Sequence, residues 1–177
     1  EKAQHPWLDY LDLQKIDYNS ALYEEYIHGS AEVVGLMCLQ VFTEGDKSKY
    51  EELKPYAMKL GSVFQKINFL RDLKDDYQIL GRTYFPNVDM CLFDNCVKCQ
   101  IEEDIEQEFK QALIGIKMLP NSSKFGVYLA YKYYLTLFKK IKNKSSKEIM
   151  NNRVRVANSE KAYVAFKSYL RYKTTCL

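Results

Sequence analysis

Four oxygen-bearing side chains recur at helical spacing near the middle of the chain: Gln65, Asn68, Asp72 and Asp76. On an α-helix, residues three or four apart lie on the same face, so a helix here places two carboxylates and two amides in one row. We call these four residues the oxygen row. Neighbouring carboxylates repel each other unless a cation lies against them, and hard oxygen ligands suit Mg²⁺. The spacing therefore indicates a Mg²⁺ site on a helix.

Two arginines extend this interpretation. Arg71 and Arg82 lie close to the oxygen row in sequence, and guanidinium groups bind phosphate oxygens in a bidentate manner. Together, these residue types predict a Mg²⁺–diphosphate site. The spacing of the two aspartates alone is not specific, because such pairs also occur on ordinary solvated helices.

The lysines of the same segment predict which way the oxygen row points. In helical projection, Lys59, Lys66 and Lys74 fall on the side opposite the row. Lysines are mostly exposed, so we expect that side of the helix to face solvent and the oxygen row to face the interior.

The composition is that of one globular domain spanning residues 1–177. The chain is 47% hydrophobic and 28% charged, with few glycines and prolines, a balance that favours helices over sandwiches or barrels. No apolar run reaches the length of a membrane span and no signal-peptide pattern is visible, so we expect a cytoplasmic protein. Cys96-x-x-Cys99 lacks the second ligand pair of a zinc site, so the five cysteines fit free thiols in a reducing compartment.

Charge is divided unevenly along the chain. Residues 1–119 hold 13 Lys and Arg against 21 Asp and Glu, whereas residues 120–177 hold 13 against two. The basic part could bind anions or an anionic membrane surface, although two solvated halves that neutralise each other explain the same pattern. Nucleic acid is not expected as a partner, because no recognised nucleic-acid motif surrounds the basic stretch Lys139–Lys147.

Apolar periodicity, caps and breakers predict a helical bundle without strands. The predicted helices span about Leu22–Phe42, Lys47–Leu80, Ile101–Met118, Asn121–Ile141 and Ser145–Tyr172, with N-caps in Asn121-Ser122-Ser123 and in Ser145-Ser146. We expect a turn at Thr43–Asp46, a C-cap at Gly81 and a break near Arg153–Asn158. Small residues within the first helix indicate close helix packing or a bound ligand, because they cost helix stability. The fold class is therefore all-α.

Two segments resemble the squalene and phytoene synthase family. Residues 26–35 match its Y-x-x-x-x-A-x-x-V-G element, and residues 65–86 are similar to its second aspartate-rich motif, here Q-x-x-N-x-L-R-D-x-x-x-D followed by G-R-x-Y-x-P. The segments at 152–158 and 167–171 look like the C-terminus of bacterial phytoene synthases. The resemblance covers most of the chain, and the second motif is far more specific than D-x-x-x-D alone.

The resemblance implies a fold and a reaction. Family members join two prenyl diphosphates head to head inside an isoprenoid-synthase-type helical bundle. Mg²⁺ bridges aspartates and diphosphate until the C–O bond ionises, and the second substrate then attacks the allylic cation on the way to a linear product. The expected protein is a prenyltransferase that makes phytoene from geranylgeranyl diphosphate in carotenoid biosynthesis. The resemblance leaves undecided whether the protein contacts a membrane peripherally to release its product.

Roles for individual residues follow from the same resemblance. It implies metal binding by Asn68, Asp72 and Asp76, and it counts Asp72 and Asp76 with Arg71 and Tyr84 as catalytic. The residues that it implies at the diphosphate or along a prenyl channel are Tyr26, Gln65, Arg82, Gly29, Ala31, Val34 and Gly35.

The chain departs from the family pattern near its N-terminus. The family has two aspartate-rich motifs on facing helices, and the first, upstream of the Tyr26 element, is not found here. Asp9 and Asp12 are spaced three apart and lie too close to that element. We therefore expect this chain to be the C-terminal portion of a synthase domain, with a bundle incomplete at its N-terminus, and to be inactive or nearly so by itself.

Other functions fit the same residues. Squalene or dehydrosqualene synthesis from farnesyl diphosphate would differ in pocket depth, which the sequence does not display. For a non-catalytic assembly factor of the same family, the missing first motif argues in favour and the retained Asn68, Asp72 and Asp76 argue against. A generic helical interaction domain is the third alternative.

Overall fold

The structure, a computed structural model, is an all-α bundle, as the sequence predicts. It describes residues 20–78, 84–86, 88–89 and 92–174, and these contain no strand. The helices are α1 (Ser20–Ile27), α2 (Val33–Phe42), α3 (Lys47–Gln78), α4 (Asn95–Met118), α5 (Asn121–Lys142), α6 (Ser146–Asn151) and α7 (Asn158–Thr174). None of the helices in these ranges is both long enough and apolar enough to cross a membrane. The single domain over 1–177 stays a prediction.

A π-helical segment, His28–Glu32, joins α1 to α2, so the first predicted helix is one continuous helical run. Gly29 and Ser30 lie inside this segment, where their low helix propensity weakens the regular α-helical pattern. The Ser30 hydroxyl donates to the Tyr26 carbonyl oxygen at 2.6 Å. The wider turn changes the register of side chains between α1 and α2, and such segments are frequent at functional sites.

A tight turn connects α2 to α3, as predicted for Thr43–Asp46. Glu44 and Gly45 have positive φ angles of 52° and 87°, a conformation that glycine adopts without steric cost. The buried Thr43 hydroxyl donates to the Leu39 carbonyl oxygen at 3.0 Å and closes the end of α2. The turn thereby lets α2 fold back along α3.

The longest helix, α3, contacts α1, α2, α4, α5 and α6. It packs against the first helical run at two glycines. A Cβ on Gly35 would lie 2.8 Å from the Ala57 carbonyl oxygen, and one on Gly61 would lie 2.5 Å from the Ala31 carbonyl oxygen. Real Cβ contacts are essentially never under 3.0 Å, so only glycine permits these backbones to approach so closely. Close helix packing therefore accounts for Gly35.

The core between α3, α4 and α5 is built from fully buried apolar side chains. Ile67 and Leu70 on α3 meet Ile105 on α4 and Phe138 on α5, all with exposures of 1% or less. Each such side chain contributes roughly 1.5–3 kcal/mol by leaving water. This packing fixes the orientation of α3, and with it the oxygen row.

The predicted start of α4 at Ile101 is wrong, because the helix begins at Asn95. The cause is Asp94, whose carboxylate accepts from the backbone N–H groups of Cys96 and Val97, each at 2.9 Å. An aspartate N-cap satisfies donors that a helix start otherwise leaves unpaired. The first two turns of α4 thus include the exposed Cys96 and Cys99.

The C-terminal region has the predicted break and one of the two predicted N-caps. Ser145 Oγ accepts from the Glu148 N–H at 3.3 Å, and Glu148 Oε2 accepts from the Ser145 N–H at 2.8 Å. The predicted cap within Asn121-Ser122-Ser123 is wrong, since the N-cap of α5 is Pro120 and no side chain makes a cap hydrogen bond. Residues 152–157 are irregular, and α7 then packs against α5. The predicted C-cap at Gly81 lies outside the described residues.

Candidate active site

The oxygen row lies along α3 and is partly buried. All four of its side chains have intermediate exposure, and the Asp72 side chain is 22% exposed. The row is therefore neither fully solvated nor sealed in the core, and a polar ligand could reach it from solvent.

The expectation that the lysine side of α3 faces solvent is wrong, because Lys66 is buried. Its Nζ lies 2.6 Å from Asp104 Oδ2 and 3.1 Å from Glu108 Oε2. Lys59 Nζ lies 2.8 Å from Glu108 Oε1, and the Ser62 hydroxyl donates to Glu108 Oε2 at 3.0 Å. We call these five residues the α3–α4 charge cluster. Acidic partners on α4 neutralise the lysines, so this side of α3 is a helix interface.

On the row itself, Asp72 lies between two arginines. Arg71 Nε and Nη2 donate to its two carboxylate oxygens at 3.0 and 2.5 Å, and Arg153 Nε lies 2.7 Å from Oδ1. The hydrogen bond to Asp72 raises the pKa of Arg71 above its ordinary value. Arg153 comes from the irregular segment between α6 and α7. The two guanidinium groups place positive charge beside the row, in the form that binds phosphate oxygens best.

Asn68 is in contact with an aromatic pair. The Tyr134 hydroxyl on α5 donates to Asn68 Oδ1 at 3.4 Å, and the Tyr134 ring stacks on Phe64 with centroids 3.9 Å apart. A bond of this length is weak, so the amide oxygen retains capacity for another partner. The stacked rings fix the position of α5 against the row.

Two tyrosines from separate sequence motifs come together beside the row. The ring centroids of Tyr26 and Tyr84 are 5.4 Å apart, and Tyr84 stacks on Phe69 at 4.1 Å. Phe69 follows Asn68 directly on α3. Aromatic pairs at such separations contribute about 0.5–1.5 kcal/mol beyond their burial. The structure thus groups both tyrosines with α3, whereas Arg82 lies outside the described residues.

An apolar cavity of about 640 Å³ lies between α2, α3, α4 and α5. Its walls include Leu39, Phe42, Leu60, Phe64, Ile116 and Val127. Gln65, the first residue of the oxygen row, also lines this cavity. A hydrocarbon-compatible space therefore adjoins one end of the row.

Most of the small residues implied along a channel line this cavity. Ala31, Val34 and Gly35 are among its wall residues, together with Gly126 on α5. Gly29 is not a wall residue; it is exposed, and a Cβ there would meet nothing within 4 Å. Gly29 therefore belongs to the π segment and does not line the cavity.

The donor chemistry of the row fits Mg²⁺ in part. Asn68, Asp72 and Asp76 offer one amide oxygen and two carboxylates, which are hard ligands, and Mg²⁺ usually keeps several waters or phosphate oxygens in its octahedral shell. Within the described ranges, no three His, Cys, Asp or Glu side chains are grouped as a metal site. The row can supply part of a coordination shell, and other oxygens would have to complete it.

Two contributors to the site are not identifiable from the sequence. Arg153 reaches Asp72 and Tyr134 reaches Asn68, each from a segment far along the chain. The only signal is the resemblance of residues 152–158 to the family's C-terminus, which assigns no role to Arg153. Contacts across such separations depend on how α5 and α6 pack, and no local spacing encodes them.

Comparison with known proteins agrees with the motifs. The family profile described as squalene/phytoene synthase matches residues 9–97. The chain is also similar to a 4,4'-diapophytoene synthase from Staphylococcus haemolyticus (strain JCSC1435), with 29% identity over 103 residues. That alignment covers 54% of this chain and 34% of the relative, so the chain spans about a third of the length of the curated relative that it matches. The profile match includes the whole oxygen row.

Proposed function

Because this chain belongs to the squalene/phytoene synthase family, we propose that it carries the diphosphate-ionising part of an active site that joins two geranylgeranyl diphosphates head to head. The product would be phytoene, made in the cytoplasm for carotenoid biosynthesis. The observation that best supports this proposal is the position of Gln65, which begins the oxygen row and also lines the apolar cavity. One residue thus links a place for a charged head group with a place for a hydrocarbon tail.

At the head-group end, we assign the metal to Asn68, Asp72 and Asp76. Bound Mg²⁺ would withdraw electron density from the leaving diphosphate. Arg71 and Arg153 already lie against the Asp72 carboxylate, so phosphate oxygens could take that carboxylate's place on the guanidinium groups. Positive donors placed before the reaction stabilise the leaving group without reorganisation at the moment of ionisation.

At the tail end, the cavity would shield the reacting carbons. Ionisation of an allylic diphosphate leaves a carbocation that water would quench, so walls that exclude water are required. The walls at Leu60, Phe64 and Ile116 meet this requirement. We place Tyr26 and Tyr84 near the diphosphate, where their ring faces could also stabilise positive charge.

We also propose that residues 1–177 bind but do not turn over substrate alone. The row supplies two carboxylates, whereas the family chemistry uses a second aspartate-rich motif on a facing helix. Without that motif the metal shell is half built. We therefore expect no conversion of either farnesyl or geranylgeranyl diphosphate by this chain.

Two observations favour alternatives. The name of the relative, 4,4'-diapophytoene synthase, favours the shorter farnesyl diphosphate as substrate. The two arginines that neutralise Asp72 favour a non-catalytic relative, in which these ion pairs simply hold residues 152–157 on α3.

Ligand-induced stabilisation separates the enzyme from the scaffold. We expect Mg²⁺ with inorganic pyrophosphate to raise the melting temperature of the chain, and either alone to raise it less. At a hundredfold excess over Kd the stabilisation is about 2.7 kcal/mol. Asp72→Asn should abolish the shift, whereas the control Glu103→Gln, at an exposed position on α4, should keep it. No shift in the unmodified protein would leave the scaffold as the better account.

Substrate length is a separate question for turnover assays. The chain, together with any residues encoded before Glu1, would be given farnesyl or geranylgeranyl diphosphate, and the hydrocarbon product measured. A C40 product from geranylgeranyl diphosphate supports the phytoene assignment. A preference for farnesyl diphosphate would move the assignment to squalene or dehydrosqualene synthesis.

A further inference from the structure

The outer face of α7 is apolar, which is unusual for a helix at the surface of a bundle. Ser168 on the inner face is 2% exposed, whereas Tyr163, Phe166 and Leu170 are 62%, 61% and 46% exposed. These three residues are spaced i, i+3 and i+7, so they form one stripe along the helix. At 100° per residue the stripe points almost directly away from Ser168. We call these three residues the α7 stripe.

Cations border the stripe on both sides. In the same projection, Lys173 falls on one side of the α7 stripe and Lys167 on the other. Lys167 Nζ lies 5.7 Å from the Tyr163 ring centroid, so the charge and the aromatic face are in direct contact. An apolar strip flanked by lysines is the pattern of helices that lie in the interface of a membrane.

The neighbouring surface is also positive. Burial lowers the pKa of Lys132 on α5, and the charges of Arg171, Lys139 and Lys167 lower it further, so these cations lie close enough to repel one another. Residues 120–177 contain only two acidic residues. Both are engaged elsewhere, Glu148 in the cap of α6 and Glu160 with Lys140 at 2.5 Å. Unbalanced positive charge therefore surrounds the α7 stripe.

We propose that the α7 stripe docks on the surface of an anionic lipid bilayer. Phe166 and Leu170 would enter the headgroup boundary, Tyr163 would lie at its polar edge, and the flanking lysines would pair with lipid phosphates. A nucleic acid would use the cations but not the apolar stripe, and an ordinary acidic protein would need a complementary groove. This inference rests on the surface of α5 and α7 and is independent of the proposed catalytic function.

Vesicle co-sedimentation of the whole chain tests the proposal. The expected result is binding to vesicles made of equal parts phosphatidylcholine and phosphatidylglycerol, with much weaker binding to phosphatidylcholine alone. The double variant Lys167→Glu/Lys173→Glu should weaken binding by roughly fivefold or more for each residue. Phe166→Ser/Leu170→Ser should weaken it by about tenfold or more, because two apolar side chains no longer leave water.

Matched controls use equally exposed residues on other helices. Met37→Ser on α2 and Ile114→Ser on α4, 65% and 49% exposed in the native chain, should leave vesicle binding unchanged. Lys110→Glu and Lys117→Glu, on the exposed side of α4, serve the same purpose for charge. Circular dichroism establishes that each variant is folded.

A second readout locates the contact without weakening it. With the native Trp7 replaced by Phe in both proteins, brominated anionic lipids should quench the fluorescence of Phe166→Trp, whereas they should not quench that of Met37→Trp. The proposal is overturned if neutral and anionic vesicles bind equally well, if the α4 controls weaken binding as much as the α7 variants, or if both tryptophans are quenched alike. Binding to nucleic acid or to an acidic protein with no vesicle binding would also overturn it. Mg²⁺–pyrophosphate binding should be the same in all these variants, which keeps this test separate from that of the proposed function.

Discussion

Two carboxylates on opposite sides of α3 each lie between two cations, yet their surroundings differ. Glu108, in the α3–α4 charge cluster, accepts from Lys59, Lys66 and Ser62, and its side chain is 8% exposed. Asp72 accepts from Arg71 and Arg153, and its side chain is 22% exposed. The partner Arg153 is 40% exposed and lies on an irregular segment, whereas Lys66 is 9% exposed in the middle of a helix.

This contrast in burial distinguishes a structural ion cluster from a candidate ligand site. In the α3–α4 charge cluster the inner pair, Lys66 and Glu108, is 9% and 8% exposed and lies on two packed helices, so neither charge can reach water without disturbing the core. Asp104 and Lys59, 61% and 43% exposed, lie at the edge of this closed pair. At Asp72 the balancing charges are guanidinium groups with access to solvent, which can exchange a carboxylate for another anion. A closed cluster predicts effects on folding, and an open one predicts effects on ligand binding.

The largest effect should come from opening the closed cluster. Glu108→Ala leaves the buried Lys66 with Asp104 as its one remaining carboxylate partner, and losing a buried hydrogen bond between charged groups costs about 1.5–3 kcal/mol. Urea unfolding measures the loss in unfolding free energy. Glu103→Ala, at an exposed position of the same helix, should change it by less than about 0.5 kcal/mol. Equal effects of the two substitutions would contradict the distinction between a closed and an open cluster.

Asp72, the more exposed carboxylate, should matter more for ligand binding than for folding. Asp72→Ala should change the unfolding free energy by no more than about 1 kcal/mol, because its arginines can turn to solvent. It should also remove the roughly 2.7 kcal/mol of stabilisation expected from saturating Mg²⁺ and pyrophosphate. Both quantities come from unfolding curves with and without ligands. A large loss of stability in the ligand-free variant would make Asp72 a structural residue like Glu108.

Alkaline pH should lower the unfolding free energy through Tyr23 and Lys66, which lie in or beside the α3–α4 charge cluster. Burial, followed by the charges of Asp104 and Glu108, raises the pKa of Tyr23 above its ordinary value. The unfolded state releases that proton near pH 10 while the folded state retains it, so stability is complete below about pH 10 and falls above it. For Lys66, burial acts to lower the pKa, but Asp104 and Glu108 together raise it, which gives the same sign. In Tyr23→Phe the unfolding free energy should fall less steeply between about pH 9 and pH 11.

Salt should have the smallest effect, and it should lower the coupling energy of the Asp72–Arg153 pair but not that of the Lys66–Glu108 pair. Raising ionic strength from about 0.1 M to 1 M shortens the screening length from about 10 Å to 3 Å. A double-mutant cycle between Asp72 and Arg153 should therefore lose most of a coupling energy that starts at or below about 1 kcal/mol. The Lys66–Glu108 cycle should keep its value. Equal salt sensitivity in both cycles would remove the contrast in accessibility.

Much of the fold follows from local signals in the sequence. The turn at Thr43–Asp46, the N-cap at Ser145 and the break after α6 are each encoded within a few residues, and the sequence predicts all three. It does not predict the start of α4, because Asp94, the N-cap, follows an irregular segment in which apolar periodicity gives no guidance. The π segment is visible only as a group of small residues, since propensity does not specify the kind of helical turn.

The candidate site is less predictable, because its partners are distant in sequence. The oxygen row follows from spacing on one helix. The environment of that helix does not: the sequence predicts a solvent-facing Lys66 because the residues that bury and neutralise it, Asp104 and Glu108, lie on another helix. The same limit hides Arg153, whose contact with Asp72 joins segments that are far apart along the chain. Spacing identifies which residues share a face, and only packing determines what covers that face.

The two glycine contacts of α3 have a consequence for the shape of the apolar cavity. The backbones of the first helical run and α3 are in direct contact where Gly35 meets Ala57 and where Gly61 meets Ala31. The two helices therefore cannot move closer together, and this side of the cavity has a fixed width. The opposite side differs, because Gly126 on α5 lines the cavity and a methyl group added there would meet no atom within 4 Å. Substitutions that change the length of the cavity should therefore be tolerated at Gly126 on α5, where a larger side chain fills space without separating two helices.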